Sequence, residues 1–140
     1  LKRDNKQVGM MTEMGLQGGV TRSKQWLFLS SQGPWASAAP GACVDLLLTA
    51  AVFGEHVTLV FIGDGVLQLQ TGQDAGGGGQ KVLAKQFSAF ELYEVNRICA
   101  EAAALQQHGL AAADLVLPVD VLDQVQMRTL LDSSDVIFQF

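Results

Sequence analysis

Short apolar runs alternate along the chain with longer stretches whose apolar positions recur at helical spacing. Trp26–Ser30 (WLFLS) is the first such run and predicts a buried strand at about Gln25–Ser30. Gly33, Pro34 and Pro40 then predict a loop over Gln32–Pro40. Gly41–Phe53 (GACVDLLLTAAVF) predicts a helix stopped by Gly54. That helix is apolar on nearly every side, so more than one neighbour must bury it. Val57–Ile62 (VTLVFI) is β-branched and almost wholly apolar, the pattern of a central parallel strand covered on both faces.

Gly63-Asp64-Gly65 ends this strand, with a short helical turn expected over Val66–Leu69. Thr71–Gly79, with four consecutive glycines at Gly76–Gly79, predicts a mobile surface loop. Lys81–Tyr93 places Leu83, Phe87 and Phe90 at helical spacing, and Glu94–Cys99 predicts a strand. Ala100–His108 is an alanine-rich helix closed by Gly109, and Leu115–Val119 reads as the next strand. Asp120 is the expected cap of a helix running to about Leu131, with Asp123 near the positive end of its dipole. Val136–Phe140 predicts a last strand.

This β-α alternation predicts an α/β fold of three layers: a five-stranded, mainly parallel sheet with helices on both faces. Residues 1–23 are polar and without periodicity, so they are expected to be an N-terminal extension, flexible or a remnant of expression. Residues 24–140 form the domain.

Composition narrows the function classes. At 49% hydrophobic and 16% charged, the 140-residue chain is poorer in charge than a typical domain, which has about 25%. Such a composition predicts apolar surface covered by a protein partner. The net charge of −5 and the lack of a Lys/Arg cluster argue against direct nucleic-acid binding. No apolar run approaches the roughly 18 residues of a membrane-spanning helix, and the first residues lack a secretory h-region. Cys43 and Cys99 are far apart and form no CxxC, which points to a reducing cytoplasm rather than a disulfide framework.

Parallel sheets present ligands and reactive groups at the C-terminal ends of their strands. Gly63-Asp64-Gly65 stands at such an end, yet it lacks the third glycine of GxGxxG and any Walker lysine, so a tight turn is the simpler reading than a nucleotide site. His56 and His108, the only histidines, have no metal-ligand spacing with each other or with the cysteines, and neither a metal nor a cofactor is expected. Cys43, inside the first apolar helix, reads as an inert small hydrophobe. Cys99 is the candidate catalytic residue: it ends the expected third strand before a helix, where a helix N-terminus lowers a thiol's pKa and a thiolate could carry a persulfide. Glu101 two residues on, and the tendency of cysteine to be buried, oppose that role. No GxSxG and no complete catalytic set is present.

The segments VTLVFIGDGVLQL, RICAEAAALQQHGL and SSDVIFQF, in that order and spacing, resemble the DsrE/DsrF-like family and are closest to its TusC/DsrF members. The resemblance spans about Gln25–Phe140 and implies the three-layer fold just described. It also implies a cytoplasmic sulfur-relay complex in which TusB-, TusC- and TusD-like subunits form a dimer of heterotrimers and pass persulfide sulfur onward through a TusE-like acceptor. The product is tRNA 2-thiouridine; in sulfur oxidisers, related subunits serve dissimilatory sulfur metabolism instead. The family's main sulfur-carrying cysteine belongs to the TusD/DsrE subunit and lies at the strand-to-helix junction, eight residues before the glycine that closes the alanine-rich helix. With Gly109 as that glycine, the equivalent position is Glu101, which has no thiol, and Cys99 is displaced by two residues.

The resemblance therefore implies a supporting subunit that works with TusB- and TusD-like partners and self-associates when expressed alone. The competing readings are a sulfurtransferase that uses Cys99 itself and a nucleotide-binding regulator that uses the Gly63–Gly65 turn.

Overall fold

The structure is a computed structural model that describes residues 23–70, 88–95 and 97–140. Five parallel strands form one sheet: β1 (Gln25–Ser30), β2 (His56–Phe61), β3 (Arg97–Glu101), β4 (Asp120–Leu122) and β5 (Val136–Gln139). Their order is β4-β3-β2-β1-β5. The most apolar run, β2, is therefore central, as its composition requires. Among the described residues four α-helical segments accompany the sheet: α1 (Ala39–Val52), α2 (described over residues 88–92), α3 (Ala102–Gln107) and α4 (Gln124–Ser133). A 3₁₀ helix at Gly63–Leu69 follows β2. Among the described residues no helix is long and apolar enough to cross a membrane.

Two apolar clusters sit on opposite faces of the sheet and complete the three layers. The larger one joins Phe28, Leu59 and Phe61 of the strands to Cys43, Val44 and Leu47 of α1, Phe90 of α2 and Leu105 of α3. The smaller one joins Leu27, Leu29, Val60, Cys99 and Leu122, with Met127, Leu130 and Leu131 of α4 packed over them. Strand alternation explains the split: Leu27 and Leu29 face α4 while Phe28 between them faces α1. Each fully buried Leu, Val or Phe contributes about 1.5–3 kcal/mol, so the α1 face supplies most of the burial.

Three expected elements shift. The fourth strand is Asp120–Leu122 and not Leu115–Val119. Pro118 has no N–H for a ladder. Leu115 instead bridges Gln70 in antiparallel fashion, with the Val116 N–H donating to the Leu69 carbonyl at 2.7 Å. The cap of the last helix moves accordingly from Asp120 to Asp123. The Asp123 carboxylate accepts the Gln126 N–H at 2.8 Å, and the Gln126 side-chain oxygen accepts the Asp123 N–H at 2.9 Å, a reciprocal capping box.

The third strand begins at Arg97, later than the expected Glu94, and runs to Glu101. Glu94 has φ of 57°, the left-handed conformation that closes a helix, and the Val95 N–H reaches back to the Phe90 carbonyl at 2.9 Å. Cys99 is consequently inside the strand and not at its end, and the following helix starts at Ala102. Residues 1–22 of the expected 1–23 extension, the expected Gly76–Gly79 loop and the first part of the expected Lys81–Tyr93 helix lie outside the described residues.

Candidate functional site at the C-terminal edge of the sheet

The strand ends bring Ser30, Gly63, Asp64 and Glu101 to one edge. β1 and β2 are tied there by the Ile62 N–H donating to the Ser30 carbonyl at 3.0 Å. Gly63, with φ of 51°, then turns the chain into the 3₁₀ helix, and Gly65 passes so close over β1 that a Cβ there would overlap the Ser30 carbonyl oxygen. The turn is held from the β3 side as well. The Gly63 N–H donates to the Glu101 carboxylate at 3.2 Å, and the His108 Nε2–H donates to the Asp64 carboxylate at 3.1 Å. A phosphate at Gly63–Gly65 would meet the negative charges of Glu101 and Asp64, which is the opposite of a phosphate cradle.

Behind the turn lies a buried polar cluster. The Gln68 side-chain amide donates to Ser30 Oγ at 2.7 Å and to the Gln32 carbonyl at 2.9 Å. Ser37 Oγ donates to the Gln32 side chain at 2.8 Å and accepts the Ala39 N–H at 3.0 Å, which fixes the Gln32–Ala38 loop onto the start of α1. Ser31 donates both its N–H and its Oγ–H to the Phe140 carbonyl at 2.8 Å, joining β1 to β5.

The two thiols lie on opposite faces of the sheet and both are fully buried. Burial pushes the Cys43 thiol up to about 12, opposed by a hydrogen bond from Ser30. Burial pushes Cys99 up to about 11; Arg97 pulls it down and Asp120 adds to the rise. Cys99 and Asp120 are register partners on β3 and β4, and Arg97 Nε donates to the Asp120 carboxylate at 3.0 Å. Glu101, by contrast, stands at the strand-to-helix junction with its carboxylate on the Gly63 amide. Among the described residues no group of three or more His, Cys, Asp or Glu could hold a metal ion.

Comparison with known proteins agrees with this architecture. The model of the DsrE/DsrF-like family matches residues 24–140. The chain belongs to the DsrE/DsrF-like family. A TusC homologue of Vibrio parahaemolyticus is 36% identical over 116 residues, covering 83% of this chain and 98% of that protein. The intracellular sulfur oxidation protein DsrF of Allochromatium vinosum is 29% identical over 131 residues, covering 84% and 96%. The crystal structure of the YchN protein from E. coli has the same fold, with a TM-score of 0.72 at 15% identity over 84% of this chain and 99% of that one.

Glu101, the position that the resemblance makes equivalent to the family's sulfur-carrying cysteine, is the last residue of β3 before α3, and Cys99 is two residues back inside the strand. The contact of Glu101 with Gly63 and the Asp64–His108 pair were not visible as pairs in the sequence, since they join residues 38 and 44 positions apart. Gln68, a polar residue inside V-L-Q-L, was the one local sign of the buried cluster.

The burial of both thiols has a measurable consequence. In the native state at neutral pH, Cys43 and Cys99 are expected to react with a disulfide reagent orders of magnitude more slowly than a free thiol, at a rate set by unfolding. Both folded values lie above the ordinary 9.0. The stability gained by burying neutral thiols is therefore complete below that pH and is lost as pH rises toward 11 and 12. Thiol labelling followed by peptide mapping checks this; fast stoichiometric labelling of either residue in the folded protein would contradict it.

Proposed function

We propose that this chain is a TusC/DsrF-like subunit of a cytoplasmic sulfur-relay complex, in which it positions TusB- and TusD-like partners and does not itself carry the persulfide. The observation that supports this reading is the carboxylate of Glu101 at the strand-to-helix junction, together with two thiols buried on opposite faces of the sheet. A carboxylate cannot accept a sulfane sulfur, and a buried thiol held near 11 or 12 supplies almost no thiolate at neutral pH. The relay would lead through a TusE-like acceptor to 2-thiouridine in tRNA, a destination favoured by the 36% identity to a TusC homologue. The 29% identity to DsrF keeps a role in sulfur oxidation as the second reading.

Coexpression with TusB- and TusD-like subunits of the same organism tests the assembly. A single stoichiometric hetero-oligomer, much heavier than the 14.9 kDa chain, is the expected result of native mass spectrometry. Free 14.9 kDa chain that does not shift when the partners are added would overturn the proposal.

A further inference from the structure

The N-terminal edge of the sheet, opposite the candidate site, carries an apolar surface of its own. α1 ends there, with the Gly54 N–H bonded to the Ala51 carbonyl at 3.0 Å and the Glu55 N–H to the Ala50 carbonyl at 3.2 Å, and feeds directly into β2. α2 ends there too, with the Tyr93 N–H bonded to the Ala89 carbonyl at 2.9 Å, and feeds β3. β2 and β3 are neighbours, with Thr58 opposite Arg97, and Ala50 and Phe90 belong to one apolar cluster. The topology thus brings both helix ends to the same edge and the same face.

Their last side chains are large, apolar and open to solvent: Val52 is 62% exposed, Phe53 80%, Leu92 76% and Tyr93 41%. An isolated exposed apolar residue is ordinary, but four large ones gathered at two adjacent helix ends are not. Glu55, Glu91 and Glu94 flank them in sequence. Among the described residues the basic side chains are Lys24, Arg97 and Arg128. Arg97 is paired with Asp120, and Arg128 lies on α4, which covers the other face. Among the described residues Lys24, whose backbone N–H donates to Glu55 at 3.3 Å, is the basic residue at this edge besides Arg97, which opens β3.

We infer that Val52, Phe53, Leu92 and Tyr93 form a docking surface for a different polypeptide that presents an apolar centre rimmed by lysine or arginine. Charge selects this occupant over a second copy. A symmetric pairing of the patch with itself would set Glu55, Glu91 and Glu94 against the same three carboxylates, and like charges across an interface oppose association. A basic rim converts that penalty into attraction. The inference rests on the reading of the chain as a subunit of an assembly and locates one of its contacts.

The test uses the full chain and the purified TusB- and TusD-like subunits as probes. Hydrogen exchange should slow at residues 50–55 and 89–94 when the complex forms. The Phe53→Ser/Leu92→Ser double variant should bind about tenfold or more weakly, because exposed anchors lost from an interface centre dominate its affinity. Its thermal midpoint should match that of the parent chain, since both side chains are exposed. Glu91→Lys should weaken binding and flatten its dependence on ionic strength.

A complex that forms normally, with no protection at these residues and full affinity in the double variant, would overturn the inference and leave the subunit reading standing. A homodimer protected at these residues at low salt would also overturn it. Failure of the parent chain to bind any partner would remove both readings, and is told apart by the unshifted mass of that chain.

Discussion

Gly65→Ala is expected to cost at least about 3 kcal/mol of stability, the range of severe overpacking. A Cβ at this position would overlap the Ser30 carbonyl oxygen and lie 2.8 Å from the Ser30 carbonyl carbon and 3.2 Å from Ser31 Cα. All three atoms are backbone of the β1 end, so no side chain can swing aside. Relief requires the 3₁₀ helix to lift from β1. That lift would strain the Gly65 N–H bond to Ile62 at 2.8 Å and the Gln68 bonds to Ser30 and Gln32. The turn that meets Glu101 would move with it. Gly41→Ala is the matched control: nothing lies within 4 Å of its Cβ position, and the residue is helical. It should stabilise by about 0.5–1 kcal/mol. Denaturant unfolding of the two variants checks both signs; equal stabilities would refute the packing argument.

Phe28→Ala should lose about 3–5 kcal/mol, roughly a 10–20 °C fall in the thermal midpoint. Phe28 is wholly buried at the centre of β1. Its ring stacks on Phe138 of β5 at 5.2 Å and lies 6.3 Å from Trp26, which in turn meets Phe138 at 5.4 Å. The three rings fasten the edge strand β5 to β1. The variant should therefore also expose β5 amides to faster exchange than those of β2. A loss below about 1 kcal/mol, or uniform exchange across the sheet, would count against this role for the aromatic triad.

Where a strand carried uninterrupted apolar residues, it was legible in the sequence. β1 falls on Gln25–Ser30 as expected, and β2 differs by one residue. Leu115–Val119 misled because its apolar pattern is that of a strand; Pro118 removes the N–H that a ladder needs, and the run packs against the 3₁₀ helix instead. Asp123 was noted for its charge, while its pairing with Gln126 three residues later was the stronger sign of a helix start. Glu94 in the left-handed conformation is what delays β3, and no sequence rule marks a glutamate for that place.

The candidate site was legible only in parts. Asp64, Glu101 and His108 were each visible as single groups, but their contacts join separate β-α units and depend on the strand order. The resemblance singled out Glu101 through its spacing to Gly109, and in the structure Glu101 ends β3 and immediately precedes α3.

Sulfur transfer through an assembly containing the Cys43→Ala/Cys99→Ala chain decides whether this subunit itself carries sulfur. Both replacements are small changes at buried positions, and recovery of the intact complex shows that folding has survived. Transfer of labelled sulfur to the TusE-like acceptor should remain within about twofold of the parent rate, the size of effect left when no reacting group is removed. Loss of transfer from an intact complex, restored by returning Cys99 alone, would make this chain itself a persulfide carrier and overturn its supporting role.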